Sequence, residues 1–260
     1  MTVYISVVSH GHSDLINKIE CLTSLVKNFK VVVKSNKDGD DFVELIGREN
    51  FYWINNSYGL GFGENNNVIF DFCINELKMN DDDYFVVLNP DVLISPVSLS
   101  HLLSQVQSLG VKIAAINLFK DCEYSIYDMS IRHFPSLLNF TKSFLGLGNN
   151  SIIDKSEIIK PTPVDWAAGS FLLFSASHYK ELGGFDEKYF MYCEDIDICF
   201  RSKKIGHNTI YFPNIKAIHL AKHANRKLFS KHFYWHVKSV IRFLFTTLGL
   251  TRSTSRISRS

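Results

Sequence analysis

The feature that most constrains the fold is an alternation of short apolar runs with longer amphipathic segments. The apolar runs are rich in Val, Ile and aromatic residues and only four to seven residues long, which is typical of buried β-strands. The first of them are 3–8, 30–35, 51–54, 84–88 and 112–118. Helical periodicity occupies the intervals 14–27, 64–78 and 97–109. This alternation predicts an α/β fold in which a mainly parallel sheet carries helices on both faces.

The second half of the chain continues the pattern less regularly. Three more strands are predicted at 170–175, 209–213 and 216–220, and a helix at 194–204. The interval 119–163 is interpreted as a long connection. At the helix starts, Ser13 is predicted to be an N-cap and Pro96 to lie in a first turn.

Length and cysteine usage set further bounds. A chain of 260 residues with 46% hydrophobic content can form one large domain with its own core. Its five cysteines are scattered and include no CxxC pair, which indicates neither a disulfide framework nor a zinc ribbon and favours a cytoplasmic location. No apolar run approaches about 18 residues, so no spanning helix is expected. The N-terminal residues are interpreted as a strand and not as a signal peptide.

The charge is unevenly distributed. Residues 198–260 contain 13 Lys and Arg and no acid, whereas residues 1–197 contain 15 basic and 26 acidic residues. We therefore divide the chain into a domain at 1–225, a basic amphipathic helix at 226–250 and a disordered tail at 251–260. A cationic helix face predicts contact with an anionic membrane surface; the alternative is a helix packed on the domain with a solvated basic face. The acidic body argues against a nucleic-acid partner.

Polar residues follow the predicted strands at the end where ligands bind in open parallel sheets. Asn89-Pro90-Asp91 leaves the strand 84–88, and Asp91 projects towards a ligand unless it only forms an Asx-turn. The acids 81–83 precede the same strand and are interpreted as a solvated loop. His219 comes late in a strand and gains a functional interpretation only if it converges with Asp91.

Two further segments allow both a structural and a functional interpretation. The glycine-rich stretch 55–67 lets the backbone approach a ligand, but it matches neither a Walker loop nor a dinucleotide fingerprint and is equally compatible with a structural turn. Asp165-Trp166 precedes a strand and could bind a sugar ring and its hydroxyls. A core Trp beside a capping Asp is the alternative.

The stretch 189–197 places carboxylates directly behind an aromatic run. Glu194 and Asp195 begin a predicted helix, where free N–H groups and the dipole stabilise negative charge. Asp197 and Arg201 are four residues apart and can pair along the helix. A carboxylate at a helix start beneath aromatic rings suits a general base, because partial desolvation raises its pKa.

Taken in order, these motifs resemble family 2 glycosyltransferases of the GT-A fold. The resemblance runs from about residue 3 to 235 and is carried by "VSHGH", "GFGENNN", "LNPD", "RHFPS", "VDWAAGSFLL" and, most specifically, "GFDEKYFMYCEDIDICFR". It is closest to bacterial rhamnosyltransferases that extend lipid-linked N-acetylglucosamine in O-antigen assembly. Such enzymes invert configuration and use Mg²⁺ or Mn²⁺.

The resemblance implies a role for each matching position. Asp195 would be the catalytic base with Glu194 beside it, and Asp91 and His219 would hold the metal. Asp165 and Trp166 would shape the acceptor pocket. The residues that would bind the donor are Ser9, His10, Asn36, Gly61, Asn66, Asn89 and Arg132. Two positions depart from the family pattern: Asn89 replaces the first acid of a DxD motif, and Ser35 stands where many relatives have Asp.

The function that follows is transfer of L-rhamnose from dTDP-rhamnose to a polyprenyl-diphosphate-linked N-acetylglucosamine. The protein would be cytoplasmic and peripheral on the inner face of the bacterial inner membrane. The competing hypothesis is a non-catalytic nucleotide- or lipid-binding scaffold of the same fold.

Overall fold

The computed structural model describes residues 1–135, 151–220 and 231–258. The strands are β1 Val3–Ser9, β2 Lys30–Ser35, β3 Phe51–Ile54, β4 Tyr84–Leu88, β5 Val92–Leu93, β6 Ile113–Phe119, β7 Ile131–Arg132, β8 Thr162–Val164, β9 Trp166–Ala167, β10 Phe171–Ser175 and β11 Thr209–His219. The helices are α1 Ser13–Ile19, α2 Cys21–Leu25, α3 Phe62–Asn75, α4 Pro96–Ser108, α5 Ala176–Leu182, α6 Glu194–Lys204 and α7 Lys231–Thr247.

One large sheet organises the molecule. Its strand order is β3-β2-β1-β4-β10-β6-β11-β5, with β8 also paired to β11, while β7 and β9 form a separate ribbon. Of the nine strands found in the described residues, six run in one direction, and β5, β8 and β10 run against them. The prediction of a mainly parallel sheet is therefore confirmed. Because β10 is antiparallel to β4, the first residue of β10 lies beside the last residue of β4, at the same edge of the sheet.

Helices cover both faces of this sheet, as predicted. On one face, Leu22 of α2 and Leu102 of α4 belong to a single apolar cluster. On the other, Phe70 of α3, Tyr179 of α5 and Phe243 of α7 belong to a second. Burying a side chain of this size contributes about 1.5–3 kcal/mol to stability relative to leaving it exposed. The apolar faces of the helices therefore form two hydrophobic cores, one on each face of the sheet.

Local differences from the sequence expectation have local causes. The predicted helix at 14–27 is divided because Glu20 adopts a left-handed conformation with φ 52°. The N-cap of α1 is His12 and not Ser13, whereas Pro96 lies in the first turn of α4 as predicted. The strands predicted at 209–213 and 216–220 form one strand, β11, with an irregularity between Phe212 and Lys216.

The C-terminal part packs on the domain. Helix α7 buries Ser239, Val240 and Phe243. Arg242 belongs to the basic face of the predicted helix, but its guanidinium lies 2.6 Å from Asp186 of the domain. The end of the chain follows: the Thr254 N–H donates to Asp186 at 3.0 Å. These contacts differ from the disorder predicted for 251–260. Residues 226–230 of the predicted helix and 259–260 lie outside the described residues.

No helix in the described part of the chain has the length and apolar character needed to cross a membrane.

Candidate active site

A cavity of about 540 Å³ opens where β1, β2 and β4 end. Four of the predicted site residues, His10, Asn36, Asn89 and Asp91, line it together. They come from three different loops, and the parallel strands bring these loops to one edge of the sheet. The lining also contains groups that the sequence did not single out, among them His12, Asn65, Phe62, Phe190, His232 and Trp235.

Asp91 and His219 converge at this cavity. The Nε2 atom of His219 lies 3.4 Å from Oδ1 of Asp91, because β11 pairs with β5 directly after the turn that carries Asp91. The other ring nitrogen, Nδ1, is 2.7 Å from Oδ2 of Asp128. Asp128 was not expected from the sequence, because it lies in an irregular segment more than 90 residues from His219.

This constellation fits a divalent cation. A histidine whose Nδ1 is held by a carboxylate presents Nε2 to a metal, and a carboxylate beside it adds the hard oxygen ligand that Mg²⁺ and Mn²⁺ prefer. Burial of the ring lowers the pKa of His219, but the hydrogen bonds to Asp128 and Asp91 outweigh it and raise the pKa to about 9.

Asp195 lies at the start of α6, where backbone N–H groups hold its carboxylate. Oδ2 accepts from Gly169 N at 3.1 Å and Oδ1 from Ile196 N at 2.9 Å. Burial raises the pKa of Asp195, although the N–H groups and the charge of Arg132 act in the opposite direction. The side chain keeps partial exposure. It is thus a carboxylate with reduced solvation and a raised pKa.

Glu194 has a different environment. It is 6% exposed, and its Oε2 atom has no hydrogen-bond partner within the described residues. Burial, followed by the charge of Asp195, raises its pKa well above the ordinary value. The two neighbouring acids therefore differ: Glu194 is held towards its neutral form, whereas Asp195 has the hydrogen bonds that favour an anion.

The backbone before α6 is strained. Tyr192 and Cys193 both adopt left-handed conformations, with φ of 72° and 65°, although neither is glycine. Such residues cost about 1–3 kcal/mol each and persist where surrounding structure enforces them. Here the turn joins the aromatic run to α6 and presents Glu194 and Asp195. Asp197 pairs with Arg201 at 2.7 Å as predicted, but in a buried position.

A short segment connects the two halves of the site. Asn89 N donates to Ser170 O at 2.9 Å, while the adjacent Gly169 N donates to Asp195. This follows from the antiparallel register of β4 and β10, in which Leu88 faces Phe171. The turn bearing Asp91 and the helix tip bearing Asp195 are thus both bonded to one two-residue segment.

Of the residues predicted to bind the donor, some line the cavity and others support the loops around it. Ser9 is fully buried, and its hydroxyl donates to Asp40, which also accepts from Ser35. Ser9 therefore fixes the loop through its side chain, and Asp40 is the buried acceptor that joins Ser9 to Ser35. Asn36 donates to Leu60 O and accepts from Leu60 N, which joins the ends of β2 and the glycine-rich loop.

Gly61 is required by a close backbone approach. A Cβ at this position would lie 2.7 Å from the carbonyl oxygen of Phe190. Asn66 faces away from the cavity, since it is fully buried and bonded to Ser6. Its neighbour Asn65 lines the cavity instead; its amide nitrogen donates to Gly61 O and its Oδ1 has no partner among the described residues.

In the described part of the chain, the cavity lining does not include the predicted residues Asp165, Trp166, Arg132, Glu194 and Asp195. Asp165 accepts from Lys203 at 2.7 Å, and Trp166 is 8% exposed. The guanidinium of Arg132 lies over the Trp166 ring at 5.7 Å. Arg132 also acts on Asp195 electrostatically.

Comparison with known proteins gives a consistent result. No family model matches the chain. Rhamnosyltransferase WbbL of Escherichia coli K12 is 40% identical over 245 residues, which is 93% of this chain and 92% of that protein. N-acetylglucosaminyl-diphospho-decaprenol L-rhamnosyltransferase of Mycobacterium tuberculosis H37Rv is 34% identical over 170 residues, 63% of this chain and 55% of that protein.

Solved structures show the same fold. GalNAc-T7 with UDP, GalNAc and Mn²⁺ superposes with a TM-score of 0.63 at 11% identity, over 95% of this chain and 48% of that one. Staphylococcus aureus TarS 1-349 with UDP-GlcNAc gives 0.60 at 14% identity, over 95% and 66%. The expected GT-A fold is confirmed, and the chain belongs to the rhamnosyltransferase family of glycosyltransferases.

Proposed function

We propose that the chain is an inverting, metal-dependent transferase that moves L-rhamnose from dTDP-rhamnose to a polyprenyl-diphosphate-linked N-acetylglucosamine. The observation that carries the proposal is the Gly169–Ser170 segment, which bonds to Asp195 on one side and to the Asp91 turn on the other. A base and a diphosphate site held at the same edge of the sheet are what one-step displacement requires.

In this reaction Asp195 removes the proton from an acceptor hydroxyl. The oxygen forms a bond to the anomeric carbon while the bond from that carbon to the donor phosphate oxygen breaks, and the electron pair leaves with the diphosphate. Asp91 and His219 are the residues that would hold a divalent cation, which offsets the charge of the leaving diphosphate when bound. Asn36, Asn65 and Asn89 would orient the donor.

A panel of nucleotide sugars, offered with N-acetylglucosamine on a lipid diphosphate with and without EDTA, tests the proposal. We expect transfer from dTDP-rhamnose, inversion at the anomeric carbon by NMR of the product, and loss of transfer in EDTA that Mn²⁺ restores. Transfer of another sugar only, retention of configuration, or full rate in EDTA would each refute the corresponding part.

Membrane contact forms a second part of the proposal. The last turns of α7 and the residue that follows it expose a stripe of one basic and three apolar side chains, Lys238, Ile241, Phe245 and Leu248. Apolar side chains beside basic ones bind anionic bilayers, and each basic residue near the surface adds about 1 kcal/mol. Peripheral binding at the inner face of the membrane would bring the enzyme to a lipid-linked acceptor.

Vesicle sedimentation tests this part. With vesicles of phosphatidylglycerol, the double variant I241S/F245S should lose most of its binding. The control V97S, which removes an exposed apolar side chain from α4, should bind like the parent protein. Unchanged binding of the double variant would assign the contact to another surface.

A further inference from the structure

The first turns of α7 reach the active-site cavity. His232 and Trp235 line it together with Phe190 and Met191, in the same cavity as Asp91. The sequence alone assigns this helix to membrane contact or to packing on the domain, and not to the active site. The cavity thus has a polar part carried by the ends of the parallel strands and an aromatic part carried by α7 and the segment before α6.

Trp235 is held rigidly at this position. Its ring packs on Phe190 with centroids 4.6 Å apart and on His232 at 5.1 Å. The carbonyl of Phe190 accepts from Phe62 N at 3.0 Å. A Cβ built on Gly169 would lie 3.0 Å from the Phe62 ring and 3.7 Å from Cβ of Asp195. A continuous series of contacts therefore runs from Trp235 to the proposed base.

His232 adds a polar group to the aromatic part. Its Nδ1 atom lies 3.1 Å from the hydroxyl of Tyr192, the strained residue two positions before α6 begins. Nε2 makes no hydrogen bond within the described residues. An imidazole fixed through one nitrogen presents the other to a ligand oxygen, and a phosphate is a suitable partner for such a donor.

We infer that this part of α7 forms the acceptor subsite, with Trp235 packing against the N-acetylglucosamine ring and His232 contacting the diphosphate to which that sugar is attached. The inference rests on the proposed function. In an inverting transfer the acceptor approaches from the side opposite the departing diphosphate, beside the base. The polar part of the cavity, at the strand ends, would bind the donor. The acceptor would then bind in the aromatic part.

Steady-state kinetics separate this role from a structural one. The acceptor is N-acetylglucosamine diphosphate with a short alkyl chain, used without vesicles so that membrane binding does not contribute. We expect W235A to raise the KM for this acceptor at least tenfold, W235F to raise it less than threefold, and H232A to raise it severalfold. The Kd for dTDP, measured by calorimetry, should stay within twofold in all three.

The control is Y234A. Tyr234 is the neighbouring aromatic residue, is 65% exposed and is absent from the described cavity lining, so its removal should leave the acceptor KM unchanged. An unchanged acceptor KM in both W235A and H232A, or an equal loss of dTDP binding, would overturn the inference. If W235A does not fold, W235F and H232A decide it.

Failure of the proposed function has a different outcome. A parent protein that makes no product from any donor refutes the proposed transfer. Calorimetric titration with the same acceptor then decides the subsite: binding by the parent that W235A weakens supports it, and absence of binding contradicts it.

Discussion

The carboxylate of Asp128 holds His219 through Nδ1 at 2.7 Å and so directs Nε2 towards Asp91. In proteins that bind metals, such a carboxylate behind a histidine fixes the tautomer and orientation of the ligand. In the proposed function, this contact orients the histidine of a site that has one acid in place of a DxD pair.

Asp128 is therefore expected to support metal affinity without contacting the metal. D128N should weaken Mn²⁺ binding in the presence of dTDP by about 10- to 100-fold, as loss of such a partner usually does. Electron paramagnetic resonance of free Mn²⁺ measures this directly. D154N, which changes an exposed acid in a turn, is the matched control. Equal Mn²⁺ affinity in both variants would show that Asp128 does not support metal binding.

The pH dependence of transfer follows from Asp195. Because burial raises its pKa above the ordinary value for Asp, the active anion is lost at a higher pH than for an exposed Asp. On the acid side, log kcat/KM should fall with a slope of about one per pH unit below that pKa. Rates measured between pH 4 and 8 with saturating Mn²⁺ test this. A rate that stays constant down to pH 4 would contradict the expected shift.

Glu194 should make stability depend on pH in the opposite sense from an ordinary salt-bridged acid. Its pKa is raised by folding, so the folded state binds a proton that the unfolded state releases as pH rises above about 4.5. The contribution of Glu194 to the free energy of unfolding is therefore fully present below that pH. It decreases as the pH rises towards the pKa of Glu194 in the folded state. E194Q should remove this slope, as urea unfolding of both proteins from pH 4 to 8 would show. If the free energy of unfolding changes with pH in the same way in both proteins, Glu194 is ionised in the folded protein.

Arg242 should contribute to stability although it lies on the basic helix. Asp186 is 1% exposed and accepts two hydrogen bonds from the guanidinium, so R242A leaves a buried carboxylate without its charged partner. A loss of about 3 kcal/mol in the free energy of unfolding is expected. K238A, one turn away and exposed, should change it by less than about 0.5 kcal/mol. If R242A and K238A both change the free energy of unfolding by such a small amount, the pair of Arg242 and Asp186 does not stabilise the protein.

Much of the fold could be predicted because its signals are local. β-Branched runs located seven of the nine strands described in the sheet within about one residue, with β11 predicted as two strands, and Pro96 marked the start of α4. The short strands β5 and β8 were not predicted. The reversed strand β10 was predicted as a strand, but its direction depends on long-range pairing that periodicity does not encode.

The candidate site was predicted less completely. Helix α3 begins at Phe62, two residues before the expected start, and in this register Asn65 faces the cavity while Asn66 faces the sheet. The partner of Arg242 is 56 residues away in the chain, and the role of α7 in the cavity requires the helix to fold back onto the domain. Such contacts depend on tertiary packing, which single-residue patterns do not contain.

The most direct test of the account compares transfer and donor binding in D195N. The substitution keeps the shape of the side chain and can still accept from Gly169 N, but it removes the base. We predict that kcat falls by at least about 10³-fold while the Kd for dTDP stays within twofold. A D195N protein that transfers rhamnose at close to the parental rate would contradict the assignment of Asp195 as the group that takes the acceptor's proton.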